Sequence, residues 1–129
     1  MLHHIDVHVR DLSAASALFD GLAEAIGYRR RADEEPDFAG YETTGGGRPR
    51  IGLILDPQHQ AGSMRLAFLV ESRRQVDAVA EIARSRGARA IEGPGLHPEY
   101  GEYYAVFFED GEGNKYEVVA GEPAEARAG

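Results

Sequence analysis

Two short stretches of the chain alternate between apolar and polar residues, and each is followed by apolar residues at helical spacing. Alternation over 4–9 and 65–71 predicts two half-buried strands, because successive side chains of a strand point to opposite faces. Their apolar faces are formed by Ile5, Val7 and Val9 in the first stretch and by Leu66, Phe68 and Val70 in the second. The opposite face of the first strand carries His4, Asp6 and His8.

The segments that follow these two strands predict helices. After Asp11, the apolar residues fall at i, i+3, i+4, i+7 and i+11, which lines one face of a helix: Ala15, Leu18, Phe19, Leu22 and Ile26. Either Asp11 or Ser13 is placed to cap the N-terminus of this helix. In the second segment, Ser72 and Gln75 have the spacing of a capping box and indicate a helix that begins just after them.

The order of elements then repeats along the chain. Three strand-like runs follow each helix, at 28–32, 38–44 and 50–56 and again at 88–92, 102–109 and 115–120. The glycine-containing runs Gly45-Gly46-Gly47 and Gly93-Pro94-Gly95 are interpreted as turns between them. Gly27 and Gly87, which end the two predicted helices, lie 60 positions apart. A repeat of this period predicts two copies of a β-α-β-β-β unit.

These elements predict an α+β fold in which two modules form an open, cup-shaped pair of sheets. We expect a single domain over 1–121, with one module at about 1–57 and the other at about 63–121. The tail 122–129 is rich in alanine and glutamate and is expected to be frayed. A concave face of this kind is suited to holding a small molecule.

Composition narrows the range of functions. The chain of 129 residues has a formal net charge of −8, which disfavours binding to nucleic acid or to an anionic membrane surface. It has no cysteine, so a disulfide framework and a thiolate metal site are both excluded. The first residues do not have the pattern of a signal peptide, and no apolar run approaches a membrane span. We therefore expect a cytoplasmic protein.

Three motifs of the chain resemble the glyoxalase/bleomycin-resistance/dioxygenase superfamily, also called the vicinal oxygen chelate superfamily. They are HIxVxVxDL at 4–12, LAFxV at 66–70 and FFxDGxGNKxE at 107–117. The stretch PGLHPEY at 94–100, followed by YYA at 103–105, is similar to a lactoylglutathione-lyase-like subgroup. The resemblance covers roughly residues 2–120 and implies the paired β-α-β-β-β modules that the repeat already predicts.

The resemblance also implies positions for a divalent metal ion, which in this superfamily is Zn, Ni, Mn or Fe. His4 matches the first ligand of the family and Glu117 matches the last. The second ligand position falls on Arg65, and the fourth corner of the site falls on Gly52. A guanidinium cannot ligate a cation, so the resemblance leaves two protein ligands where catalytic sites usually keep three. Arg65 is instead expected to form an ion pair with Glu117 or to anchor an anionic ligand.

Two functional hypotheses follow from these positions. In the first, the chain is a metal-dependent enzyme, lactoylglutathione-lyase-like or dioxygenase-like, in which Glu117 or His8 moves a proton on a substrate with vicinal oxygens. In the second, it is a non-catalytic protein that binds or sequesters a drug or metabolite and has lost the metal site. The residues expected to contact the ligand are Arg65, Asp6, Tyr103, Tyr104 and His97. Open sheet edges favour a homodimer in either case.

Overall fold

Two four-stranded sheets, each with one helix, make up the chain. The computed structural model describes residues 1–32 and 35–121. The elements are β1 His4–Val9, α1 Leu12–Leu22, β2 Tyr28–Arg30, β3 Phe38–Thr43, β4 Arg50–Leu55, β5 Arg65–Val70, α2 Arg73–Ser85, β6 Arg89–Leu96, β7 Tyr104–Glu109 and β8 Lys115–Ala120. The predicted α+β fold of two modules is thereby confirmed. The tail 122–129 lies outside the described residues.

Each module forms its own sheet, which we call sheet A for the first module and sheet B for the second. Sheet A has the order β1-β4-β3-β2 and sheet B the order β5-β8-β7-β6. In each sheet the first strand of the module pairs in parallel with the last, and the remaining pairs are antiparallel. Both β1 and β5 are therefore edge strands, and no ladder joins the two sheets within the described ranges.

The two modules share one hydrophobic core. Apolar residues of both sheets and both helices belong to a single buried cluster. The ring of Phe19 on α1 lies 5.5 Å from that of Tyr41 in sheet A and 5.4 Å from that of Tyr116 in sheet B. A core that crosses between the modules explains how they hold together without a shared strand ladder.

A carboxylate from the second module also caps the helix of the first. Both carboxylate oxygens of Glu112 accept from the backbone N–H of Arg10 at 2.7 Å, and one accepts from that of Asp11 at 2.8 Å. Asp11 itself caps α1, because its side chain accepts from the Ala14 N–H. These bonds satisfy donors that a helix start otherwise leaves unpaired. The capping box predicted at Ser72 and Gln75 of α2 is confirmed.

The main error of the sequence-based prediction lies in β6. The sequence predicts a turn at Gly93-Pro94-Gly95, but β6 continues through this run to Leu96. Gly93 has a φ of +95°, and the pairing with β7 shifts register on both sides of Glu92. A Cβ at Gly93 would lie 2.7 Å from the carbonyl oxygen of Ala105, so only glycine lets the two strands approach here. No helix in the described ranges is long and apolar enough to cross a membrane.

Candidate functional site

Each sheet has one face in the core and one face that carries ionisable groups, which we call the open face. The strand ladders pair Asp6 with Gly52 in sheet A and Ala67 with Glu117 in sheet B. Gly52 is therefore the counterpart of Glu117 in the repeat, as the sequence alignment of the modules predicts. At this level sheet A has Asp6 on its first strand, and sheet B has Glu117 on its last strand and Glu92 on β6, which pairs with Phe107.

The open face of sheet B holds a compact group of side chains around Glu117. The Glu117 carboxylate is only 5% exposed and accepts a hydrogen bond from the Tyr103 hydroxyl. Phe107 lies opposite Glu117 in the β7–β8 ladder, and its ring carries the Arg65 guanidinium 5.1 Å from its centroid. The His97 ring lies 6.1 Å from that of Tyr103 and 5.3 Å from that of Phe107. We call these five residues the Glu117 cluster.

Tyr103 remains a hydrogen-bond donor over the whole physiological pH range. Burial, and next the hydrogen bond that the hydroxyl donates to the Glu117 carboxylate, together raise its pKa to about 12. The guanidinium of Arg65 opposes this effect, since a nearby positive charge favours the phenolate. The cluster therefore presents a neutral phenol, a carboxylate and a cation side by side.

The expected ion pair between Arg65 and Glu117 does not form. Among the described residues, Glu117 has its hydrogen bond from Tyr103, and no salt bridge joins it to Arg65. In the ladder Arg65 pairs with Lys115, two residues or about 6.6 Å from Glu117 along the strand, and its guanidinium extends beyond this offset to the Phe107 ring. Arg65 stacks on Phe107 instead, which leaves part of its guanidinium available to an anionic ligand.

The remaining aromatic candidates of this module divide between the two faces. Tyr104 donates from its hydroxyl to Asp77 on α2, and its ring lies under the guanidinium of Arg73, also on α2. Tyr104 therefore contacts α2 rather than the Glu117 cluster. His97 lies in the cluster, next to the 3-10 turn Pro98–Tyr100. Sequence reasoning missed Phe107, although the hairpin register places it opposite Glu117.

The open face of sheet A contains a cavity of about 370 Å³. The His4 imidazole lies 3.7 Å from the Asp6 carboxylate at its edge. The pKa of His3 is lowered, chiefly by the guanidinium of Arg48 and then by burial and by His4 and Arg50. The guanidinium groups of Arg48 and Arg50 therefore lie close to His3 at this end of the sheet.

His8 is separated from His4 and belongs to a different group of residues. Its Nδ1 lies 2.9 Å from a carboxylate oxygen of Asp56, just beyond the end of β4. With the proton of a neutral imidazole on Nδ1, the Nε2 atom can accept a proton. Asn114 donates to the His8 carbonyl and lies 2.9 Å from the His59 Nε2. Asp56 was missed by the sequence analysis, because only the fold brings residues 8 and 56 together.

Removal of His8 should change the ionisation of Asp56. The hydrogen bond from His8 is the largest cause of the lowered pKa of Asp56, followed by the backbone N–H of Gln58. Because the pKa of Asp56 is lowered in the folded protein, its carboxylate stabilises the fold at pH values above its ordinary pKa of 3.8. This stabilisation is lost as the pH falls through the lowered pKa of the folded state. We expect His8→Ala to raise the pKa of Asp56, as followed by carboxyl-carbon NMR.

His97→Ala is the matched control for this experiment. His97 lies in the other module and is not among the groups that shift the pKa of Asp56. An Asp56 pKa that is the same in His8→Ala as in the parent would show that the two side chains do not interact in solution.

The residues at the positions implied for a metal ion do not fit one. Within 1–32 and 35–121, no three His, Asp or Glu side chains are grouped so that they could hold an ion. Of the expected ligands, Glu117 is engaged by Tyr103, and Arg65 has no lone pair to donate. His4 contacts Asp6 and His3 rather than Glu117. The donor set therefore falls short of the three protein ligands that such sites usually have.

The two open sheets carry ionisable groups on their exposed faces and share one hydrophobic core with both helices, which defines an open-cup, two-module protein. The family model for the Glyoxalase/Bleomycin resistance protein/Dioxygenase superfamily matches residues 1–118. The chain belongs to this superfamily.

Individual relatives agree with this assignment. YqjT of Bacillus subtilis strain 168, an uncharacterized protein, is 29% identical over 136 residues, which cover 92% of this chain and 98% of YqjT. A glyoxalase/bleomycin resistance protein from Albidiferax ferrireducens T118 has a TM-score of 0.79 at 23% identity and covers 95% of this chain and 99% of its own. The fosfomycin resistance protein FosX from Listeria monocytogenes has a TM-score of 0.72 at 19% identity and covers 97% of this chain and 96% of its own. At these identities the two structures show the fold alone.

Proposed function

We propose that this protein binds a small organic molecule on the open face of sheet B, and that it does so without a protein-bound metal ion. The observation that carries this proposal is the buried Glu117 carboxylate, with Tyr103 and Phe107 beside it. A buried carboxylate is costly unless it is paired, so its retention on an aromatic surface favours a role in ligand recognition. Phe107 and Tyr103 offer apolar contact area, while Glu117 and Arg65 offer an acceptor and a cation.

The metal-dependent lyase or isomerase chemistry suggested by the family would need a third donor beside His4 and Glu117. Arg65 cannot supply one, because a guanidinium has no lone pair to offer a cation. A second candidate function is proton transfer by His8, which the contact with Asp56 favours. A carboxylate on one imidazole nitrogen fixes the ring and leaves the other nitrogen to act as a general base. The homodimer expected from the open sheet edges remains a prediction.

The binding proposal can be tested with 8-anilino-1-naphthalenesulfonate, a fluorescent dye that combines aromatic rings with an anionic group. We expect Phe107→Ala and Arg65→Gln each to weaken dye binding by at least about fivefold, since one removes aromatic contact and the other removes the cation. The measurement is a fluorescence titration under native conditions, with circular dichroism to confirm that each variant is folded.

Arg89→Gln is the matched control for Arg65→Gln. It makes the same change of charge on the same sheet, at a guanidinium that lies 3.2 Å from Glu109. Equal loss of dye affinity in Arg65→Gln and Arg89→Gln would mean that only net charge matters, and the proposed site on sheet B would then be abandoned.

A further inference from the structure

The cavity on the open face of sheet A is lined by more positive than negative groups. Arg31 and Arg50 bring two guanidinium groups to it, His3 and His4 add imidazole rings, and Asp6 adds a carboxylate. This grouping is unexpected in a chain whose formal net charge is −8, since most of its surface repels anions. The cavity is thus a local site of positive charge on an acidic protein.

The floor of this cavity is apolar, and two glycines make room for it. Gly40 and Gly52 face each other across β3 and β4. A Cβ at either position would lie 2.9 Å from the ring of Phe38, and a Cβ at Gly52 would also lie 2.8 Å from the Asp6 carboxylate. The missing side chains let the Phe38 ring lie across the sheet. Together with Ile54, it gives the cavity an apolar surface beside its cations.

Arg50 has hydrogen-bonding capacity that the protein does not use. Its Nε–H is buried and has no hydrogen-bond partner among the described residues. A buried donor without a partner is costly, and a guanidinium donates most strongly to a planar or tetrahedral oxyanion. Arg50 pairs with His4 in the β1–β4 ladder, so its backbone is held in position next to that of His4. The Asp6 carboxylate contacts His4 at 3.7 Å and forms no salt bridge with Arg50 within the described part of the chain.

We infer that this cavity binds the phosphate or carboxylate group of a small organic anion. The oxyanion accepts from the terminal N–H groups of Arg50, because its Nε is buried, Arg31 contributes charge, and the organic part of the ligand lies on Phe38. Arg31 is also 3.8 Å from Glu42, which holds it at the edge of the sheet. This site lies on sheet A, whereas the binding proposed above concerns sheet B.

Inorganic phosphate and phenyl phosphate are suitable probes, with binding measured by calorimetry at low ionic strength. We expect both to bind, and phenyl phosphate to bind at least about threefold more tightly because of Phe38. Arg50→Gln should weaken phenyl phosphate binding by at least about tenfold, through loss of a charge-assisted contact. Arg31→Gln should weaken it by a smaller factor, and it provides a second test if Arg50→Gln does not fold. Arg89→Gln, with the same change of charge on sheet B, should change it less than about twofold.

Three results would overturn the inference: no heat with either probe, equal losses in Arg50→Gln and Arg89→Gln, or benzyl alcohol binding as tightly as phenyl phosphate. The naphthalenesulfonate titration, repeated on Arg50→Gln, keeps this inference separate from the proposal for sheet B. Dye binding that depends on Arg65 while phosphate binding is absent would overturn only the site at Arg50.

Discussion

Replacement of Glu117 by methionine should raise the free energy of unfolding by about 1–2 kcal/mol while it impairs ligand binding. Glu117 is 5% exposed, and the hydrogen bond that its carboxylate accepts within the described part of the chain comes from the neutral hydroxyl of Tyr103. Desolvation of a carboxylate costs more than one such bond returns, whereas methionine has a similar volume and no charge. The measurement is urea denaturation of the parent and the variant.

Tyr103→Phe should have the opposite effect on stability. It leaves the buried Glu117 carboxylate without its donor, at a cost of about 1–3 kcal/mol. Glu109→Met is the matched control, since the Glu109 carboxylate lies within reach of Arg89 and Lys115 and is not expected to yield a gain in stability. If Glu117→Met destabilises the protein instead, Glu117 has a structural role and the proposed function loses its main support.

Asp110→Ala should lower the free energy of unfolding by about 3 kcal/mol or more, the largest effect that we expect from a single polar substitution. Asp110 is 3% exposed. Its carboxylate accepts from the backbone N–H groups of Glu112 and Asn114 at 2.9 and 3.0 Å, and from the side-chain amide of Asn114 at 2.8 Å. Alanine would remove the acceptor of all three bonds in the turn between β7 and β8, and the two backbone N–H groups would lose their side-chain partner.

The effect of Asp110→Ala should extend into the first module. The same turn presents Glu112 to the backbone of Arg10 and Asp11 at the start of α1. Hydrogen exchange at these two amides should therefore accelerate in the variant, in addition to the global loss of stability seen in denaturant. The exposed Asp37 provides the control, and Asp37→Ala should change stability by less than about 0.5 kcal/mol. A loss below about 1 kcal/mol in Asp110→Ala would contradict the assigned hydrogen bonds.

The local pattern of the sequence was sufficient to predict the repeated elements. Alternation over β1 and β5 and helical spacing after them are properties of contiguous residues, and so are the caps at Asp11 and Ser72. The prediction failed at Gly93, which has a positive φ and lies close to Ala105. Glycine tolerates both, so that β6 continues beside β7. Only the partner strand reveals that requirement, because the same residues in isolation favour a turn.

The candidate sites depended on the tertiary structure to a greater degree. The sequence singled out His4, Arg65 and Glu117. The ladder places Arg65 two residues from Glu117 along the strand, and the Arg65 guanidinium lies over the ring of Phe107. The contact of His8 with Asp56 and the unpartnered Nε of Arg50 likewise arise from strand register and from packing between elements. Side-chain contacts of a few ångströms depend on which strands pair and in what register, and that is settled by the burial of one common core, not by any short stretch of sequence.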